Sequence, residues 1–175
     1  MDVTPPLLAL ADLAGIALAL LLAALLWAHG DGRRRRANGW LAAAVVSLGL
    51  VLLARQPALP VAHLTGWAAF LFGPCLWLYT CRVTGQDGPR GQRLAVHFIP
   101  ALAMLLVLLP KPAAEAARLV QPRSAPDALD IVTALHMLAY WLLASLRLGR
   151  AGERALRMRL WACLAVWAAW VALSA

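Results

Sequence analysis

The sequence predicts an all-α fold, a polytopic transmembrane helix bundle with six visible spans. Of its 175 residues, 63% are hydrophobic and 14% are charged, whereas soluble domains carry roughly 45–50% apolar and about 25% charged residues. The charged residues are clustered in short segments, and the apolar runs between them contain almost none. Because a helix needs about 20 apolar residues to cross the hydrocarbon core of a bilayer, these runs indicate an integral membrane protein.

The apolar runs predict one transmembrane domain over residues 1–175, with spans at approximately 7–28, 40–54, 61–82, 94–109, 128–146 and 160–175. The first span follows Pro5 and Pro6, which the first turn of a helix tolerates. Gly15, Ala19 and Ala23 recur at every fourth position of this span. Small residues at this spacing predict a smooth helix face that packs closely against a neighbouring helix.

The later spans differ in length and in their prolines. The second is short, so we expect its flanks or a local thinning of the bilayer to compensate. Pro74 removes a backbone donor from the third span, which predicts a kink and a neighbouring helix that satisfies the freed carbonyl. Pro100 lies in the second turn of the fourth span. The sixth has only 16 residues at Ala175, so we expect an interrupted chain with a seventh span beyond it.

The basic residues alternate from loop to loop, and this pattern predicts an orientation. The loops 29–39, 83–93 and 147–159, with Arg82 at the edge of the second, carry twelve of the sixteen lysines and arginines. Because basic residues favour the cytoplasmic side, we expect these loops inside the cell and the N-terminus outside.

The net charge of +8 also suggests nucleic acid binding. Orientation in a bilayer explains it better, since no soluble module remains to hold nucleic acid.

Five polar residues within or beside the spans are candidates for a ligand site. Asp12, Arg55, His63 and Asp130 fall in the outer half of the membrane under this orientation, and His136 lies at its inner limit. If the first, third and fifth spans adjoin, these residues line a pocket for a small ligand that opens to the outside. The alternatives are that Asp12 is hydrated or paired with Arg55 or His63, and that His136 is a hydrogen-bonding packing residue.

The sequence gives no indication of catalysis or of a bound cofactor. It contains no H-E-x-x-H, G-x-S-x-G or glycine-rich phosphate-binding motif, so we expect no enzyme activity. Cys75, Cys81 and Cys163 form no C-x-x-C pair and are typical of small core residues, which predicts no metal site. Haem with two histidine ligands requires both at one depth. Only His29 and His97 meet that condition, and we expect no haem.

The stretch GPCLWLYTCRVTG, followed by HFIP at the start of the next span, carries a resemblance to a known family. It resembles the multi-span N-terminal region of membrane-bound AraC-type bacterial transcriptional regulators, in which a Gly-Pro helix end with a tyrosine precedes a short turn and a His-Phe-(Ile/Leu)-Pro motif. The residues that match are Gly73, Pro74, Leu76, Leu78, Tyr79, His97, Phe98 and Pro100. A fifth span with Tyr140, a basic loop and a sixth span opened by Trp161 are also similar.

This resemblance implies a seven-span sensor domain in the bacterial inner membrane that acts on a cytoplasmic helix-turn-helix pair. DNA would then be contacted only through a domain beyond this sequence, and a homodimer is one assembly to consider. We expect the lipid bilayer and a small ligand on the outer side as partners, with the ligand biasing two helix packings. The alternatives are the membrane input domain of a histidine kinase and a small membrane enzyme or transporter.

Overall fold

The computed structural model describes residues 4–29, 31–54, 56, 62–85, 88–109 and 128–150, together with Met158 and Trp161. These residues form helices and short connections, with no strand among them. The elements are α1 (Thr4–Ala28), α2 (Gly32–Ala54), the 3-10 helix η1 (Ala62–Ala68), α3 (Ala69–Val83), α4 (Gln92–Val96), α5 (Ile99–Leu108) and α6 (Ala128–Arg150). The all-α prediction is confirmed.

Three of these helices are long and apolar enough to cross a membrane. Their qualifying segments are Ala9–Ala28 in α1, Arg34–Ala54 in α2 and Ile131–Leu148 in α6. α5 is apolar but has only 10 residues. The predicted span at 160–175 lies outside the described residues, apart from Trp161. The structure therefore agrees with a membrane-associated helical protein, and three of the six predicted spans correspond to helices that are long and apolar enough to cross a membrane.

α2 is longer than the sequence analysis predicted. It begins at Gly32 rather than at residue 40, so most of the predicted loop 29–39 is helical. Gly32 adopts a φ of 45°, which a glycine tolerates and which reverses the chain after α1. The arginines that follow are good helix formers. With 23 residues, α2 is about 35 Å long at 1.5 Å per residue, and its arginine-bearing first turn is a flank that extends the short apolar span.

α1 packs against α2 through the small residues that the sequence singled out. Ala19 and Ala23 are buried in this contact. A Cβ atom built on Gly49 of α2 would lie 3.2 Å from the Cβ of Ala19, and one built on Gly15 would lie 2.7 Å from Cδ1 of Leu52. The predicted smooth face is confirmed. The rest of α1 is lined with exposed leucines at positions 10, 13, 18, 20, 21, 22 and 25, as expected of a surface that faces lipid.

α3 is the most buried helix and the centre of the described fold. It packs against both α2 and α6. Its buried residues are Phe70, Gly73, Pro74, Cys75, Leu76, Trp77, Leu78, Thr80 and Cys81. Residues 76–78 and Cys81 form one apolar core with Ala144 and Leu148 of α6. Phe70 belongs to a second core, which includes Met104 and Leu108 of α5.

The predicted fourth span is broken near its start. α4 ends at Val96, and α5 begins at Ile99 after a turn formed by His97 and Phe98. In this turn the amides of His97 and Phe98 donate to carbonyls three residues earlier, as in a tight 3-10 turn. Pro100 therefore lies in the first turn of α5, where its missing N–H leaves no helical bond unmade. The break carries His97 to the side of α6, as described below.

Candidate functional site

Pro74 leaves a main-chain carbonyl of α3 without its helical donor, and α6 supplies a replacement. Proline has no N–H, so the oxygen of Phe70, four residues earlier, cannot receive the usual helical bond. His136 Nε2 of α6 lies 3.1 Å from that oxygen. Because a carbonyl only accepts, Nε2 must carry the proton in this contact. The prediction that a neighbouring helix satisfies the freed carbonyl is confirmed. This bond agrees with the interpretation of His136 as a hydrogen-bonding packing residue, and its role as a ligand contact stays a prediction.

Gly73 allows α3 and α6 to approach closely beside this hydrogen bond. A Cβ atom built on Gly73 would lie 2.9 Å from Cβ of Tyr140 and 3.0 Å from its Cδ2. Both distances are shorter than ordinary van der Waals contacts, and the Cβ of Tyr140 cannot rotate away. His136 and Tyr140 are four residues apart and therefore share one face of α6. This face lies along the Gly73–Pro74 segment of α3.

Tyr140 also connects α6 to the turn between α4 and α5. Its Oη lies 2.6 Å from Nδ1 of His97, and the ring of His97 lies 4.7 Å from the ring of Trp77 in α3, measured between centroids. On the other side, the ring of His136 is 4.9 Å from that of Tyr140 and 5.2 Å from that of Phe70. We refer to these five residues, Phe70, Trp77, His97, His136 and Tyr140, as the histidine–aromatic cluster.

The histidine–aromatic cluster continues into two neighbouring contacts. The ring of Phe98 lies 6.2 Å from that of Trp40, so α2 joins the same contact region. Arg147, two turns after Tyr140 in α6, places its Cζ 5.4 Å from the ring centroid of Trp77. Such a distance is within the range of a cation–π interaction. Trp77 Nε1 is buried and has no hydrogen-bond partner in the described part of the chain.

The five predicted site residues are only partly described. Asp12 is half-buried in α1, and Gln56 Nε2, just after the end of α2, donates to its Oδ2 at 3.4 Å. His136 belongs to the histidine–aromatic cluster. Arg55 lies outside the described residues, and the same holds for the side chains of His63 in η1 and Asp130 in α6. The hypothesis that all five line one pocket therefore stays a prediction.

The residues that carry the family resemblance lie in several elements of the structure. Gly73 lies against Tyr140 of α6, Pro74 frees the carbonyl that His136 approaches, and His97 joins the histidine–aromatic cluster. Tyr79 and Phe98 pack beside the buried core that α3 shares with α6. Pro100 begins α5. The motif residues therefore lie on or next to the contact of α3 with its neighbours, although the turn and α5 follow α3 at a distance in the sequence.

Sequence reasoning did not identify Trp77 and Phe70 as parts of this site, and it noted Tyr140 only for its position. One signal was available: His136 and Tyr140 are two hydrogen-bonding side chains at helical spacing in a mostly apolar span. A second is that Gly73 directly precedes Pro74, which marks a place where a partner helix approaches. Which helix approaches is a long-range contact that one sequence does not contain.

The described residues contain no group of three histidine, cysteine or acidic side chains placed to hold a metal ion. His29, one member of the pair considered for haem, places Nδ1 3.0 Å from the carbonyl oxygen of Leu25 in its own helix. His97, the other member, is bonded to Tyr140. The chemistry of the site is thus hydrogen bonding and ring packing between helices.

The fold and the site define a membrane-associated helical protein whose polar groups join helices to one another. Comparison of the chain with protein-family models, curated proteins and solved structures finds no match.

Proposed function

We propose that this chain is the membrane input domain of a bacterial signalling protein, of the type that precedes the DNA-binding domain in membrane-bound AraC-type regulators. The observation that carries the proposal is the contact of α3 with α6 and the 97–98 turn. Gly73, Pro74 and His97, which carry the resemblance, meet there with Tyr140 and His136. A polar contact of this kind within apolar helices is suited to holding one helix arrangement against another.

The proposed mechanism is a shift between two packings of α3 against α6. One packing is the described state, in which His136 donates to Phe70 and Tyr140 bonds to His97. Side-chain hydrogen bonds between membrane helices contribute about 0.6 kcal/mol on average and up to about 1.7 kcal/mol. Losing one such bond changes the ratio of the two packings by about three- to eighteen-fold. An input of modest strength therefore suffices to change the output.

The input would arrive at the end of α1 and α2 that carries Asp12 and Gln56. The other end of the same helix pair carries the arginines 33–36, and Asn38 Nδ2 donates there to the oxygen of His29 at 2.7 Å. Because arginines favour the cytoplasmic side, the Asp12 end would face outward. A small polar ligand that displaces Gln56 from Asp12 would bias how α2 packs against α3.

The proposal also includes membrane spans beyond the three long helices α1, α2 and α6. η1 and α3 follow each other without a gap and together contain 22 residues. At about 2.0 Å per 3-10 residue and 1.5 Å per α-helical residue they extend about 36 Å, which is enough to cross the hydrocarbon core. α4 and α5 would form a broken fourth span around the 97–98 turn. The proposal also includes the sixth span that the sequence predicts at 160–175.

The proposal is tested in the organism that encodes the chain, with a His136→Ala allele at the native locus. The control is Leu138→Ala, which truncates an exposed apolar residue of the same helix. If the chain is part of a transcriptional regulator, the His136→Ala allele should change the transcript levels of a small set of genes, and the control allele should leave them unchanged. Immunoblots of the membrane fraction show whether the protein is present at equal amounts.

Three outcomes separate the alternatives. A helix-turn-helix pair in the reading frame downstream of Ala175 supports the AraC-type proposal, whereas a kinase domain there would replace it with the histidine-kinase alternative. Unchanged transcripts, combined with a lost uptake or membrane enzyme activity in the His136→Ala strain, would contradict both signalling proposals.

A further inference from the structure

The first turn of α2 concentrates positive charge on the surface of the protein. Residues 33–36 are four consecutive arginines, and Asp31 is the single acid within two residues of them. Arg34, Arg35 and Arg36 are exposed, and the first turn of α2 contains no acidic residue. In the described part of the chain, the side chains of these three arginines make no ion pair or hydrogen bond.

This arrangement is electrostatically unfavourable unless an anion lies nearby. Cations held close together repel one another by Coulomb's law. Cations at the N-terminal end of a helix also oppose its dipole. α2 nevertheless forms through this segment, beginning at Gly32. Since the described residues do not neutralise the arginines, an anionic group from the surroundings would relieve both repulsions.

The neighbouring residues place these arginines at the depth of lipid headgroups. Trp27, at the end of α1, is 62% exposed, and its ring carbon Cζ3 would lie 3.6 Å from a Cβ atom built on Gly39. Exposed tryptophans beside membrane spans favour the boundary between hydrocarbon and headgroups. The apolar segments Ala9–Ala28 and Arg34–Ala54 flank the turn directly. The guanidinium groups therefore cannot move far from the bilayer surface.

We propose that Arg34, Arg35 and Arg36, with Trp27 beside them, form a binding surface for the phosphodiester headgroup of anionic glycerophospholipids. Arginine matches a phosphate group with two parallel N–H donors, and it gives up its hydration more readily than lysine. A bilayer that already carries these headgroups at the same depth is the nearest source of anions. Duplex nucleic acid would have to approach that negatively charged surface. The proposal depends neither on the signalling function nor on the orientation of the chain.

The test is native mass spectrometry of the purified full chain, incubated with equal amounts of phosphatidylglycerol and phosphatidylcholine that have the same acyl chains. The wild type should retain phosphatidylglycerol preferentially. Each Arg→Gln replacement at positions 34, 35 and 36 should lower that preference by about fivefold. Two controls accompany the triple glutamine variant: a triple lysine variant, which keeps the charge, and Arg93→Gln, which removes an exposed arginine of α4.

Arg93→Gln should behave as the wild type, and the triple lysine variant should keep most of the preference. Equal retention of the two lipids by the wild type would overturn the proposal. So would a triple glutamine variant that still selects phosphatidylglycerol. A loss of preference in Arg93→Gln as large as in the triple variant would also overturn it, because it would show a response to total charge rather than to this surface.

Discussion

His136 Nε2 lies 3.1 Å from the main-chain oxygen of Phe70, which is the carbonyl that Pro74 leaves without a helical donor. In hydrocarbon no water is present to satisfy such a group. The hydrogen bond therefore joins two helices that are distant in the sequence, and it makes the proline in α3 compatible with a buried position. Tyr140 lies one turn further along α6 and packs against Gly73, the residue that directly precedes Pro74 in α3.

Replacing Gly73 with alanine should destabilise the contact between α3 and α6. The added Cβ would lie 2.9 Å from the Cβ of Tyr140, so the helices must separate. Overpacking of this kind costs about 1–3 kcal/mol, measured here as the free energy of unfolding in an SDS titration of mixed micelles. Gly88→Ala is the matched control, because its nearest atom would be 3.5 Å away, an ordinary contact. Equal stability of both variants would show that the close approach does not occur.

Tyr140→Phe should weaken the attachment of the 97–98 turn to α6. The substitution keeps the ring and removes the hydroxyl that lies 2.6 Å from His97 Nδ1. We expect a loss of about 0.6–1.7 kcal/mol in the free energy of unfolding, as for other hydrogen bonds between membrane helices. In a His97→Ala background the same substitution should be close to neutral. Additive effects of the two substitutions would argue that the two residues do not interact.

The proposed orientation predicts which end of the α1–α2 pair is accessible from outside the cell. Arg35→Cys should resist a membrane-impermeant maleimide in intact cells and react after permeabilisation, whereas Asp2→Cys should react in both. Cys75 and Cys81 are buried and give little background, and Cys163→Ser removes the third cysteine. Labelling of Arg35→Cys in intact cells would reverse the orientation and place the Asp12 end inside.

The sequence was sufficient for the fold class and for those features that depend on local spacing. The small-residue face of α1 and the need to satisfy a carbonyl near Pro74 both follow from periodicity and from the chemistry of proline. The sequence does not identify His136 as the residue that donates to this carbonyl, because it lies 66 positions from Phe70 and other polar residues were equally plausible donors.

At two places the helices of the structure begin at residues other than those predicted from the sequence, and each difference has a physical reason. The charge of the arginines 33–36 predicts a loop, but α2 includes them because arginine is a good helix former. The sequence predicts a continuous fourth span. In the structure a new helix begins at Ile99, which places Pro100 in a first helical turn. The resulting turn is what places His97 next to Tyr140.

The most direct test of the α3–α6 account is a double-mutant cycle between His136 and Pro74. His136→Phe keeps a ring against Phe70 but has no N–H to donate, and Pro74→Ala restores the amide that would satisfy the Phe70 carbonyl within α3. We expect His136→Phe to lower the free energy of unfolding by about 1–3 kcal/mol in the wild type, because it leaves a buried acceptor unsatisfied. In the Pro74→Ala background it should have little effect. An equal loss of stability in both backgrounds would contradict the claim that His136 replaces the donor that proline removes.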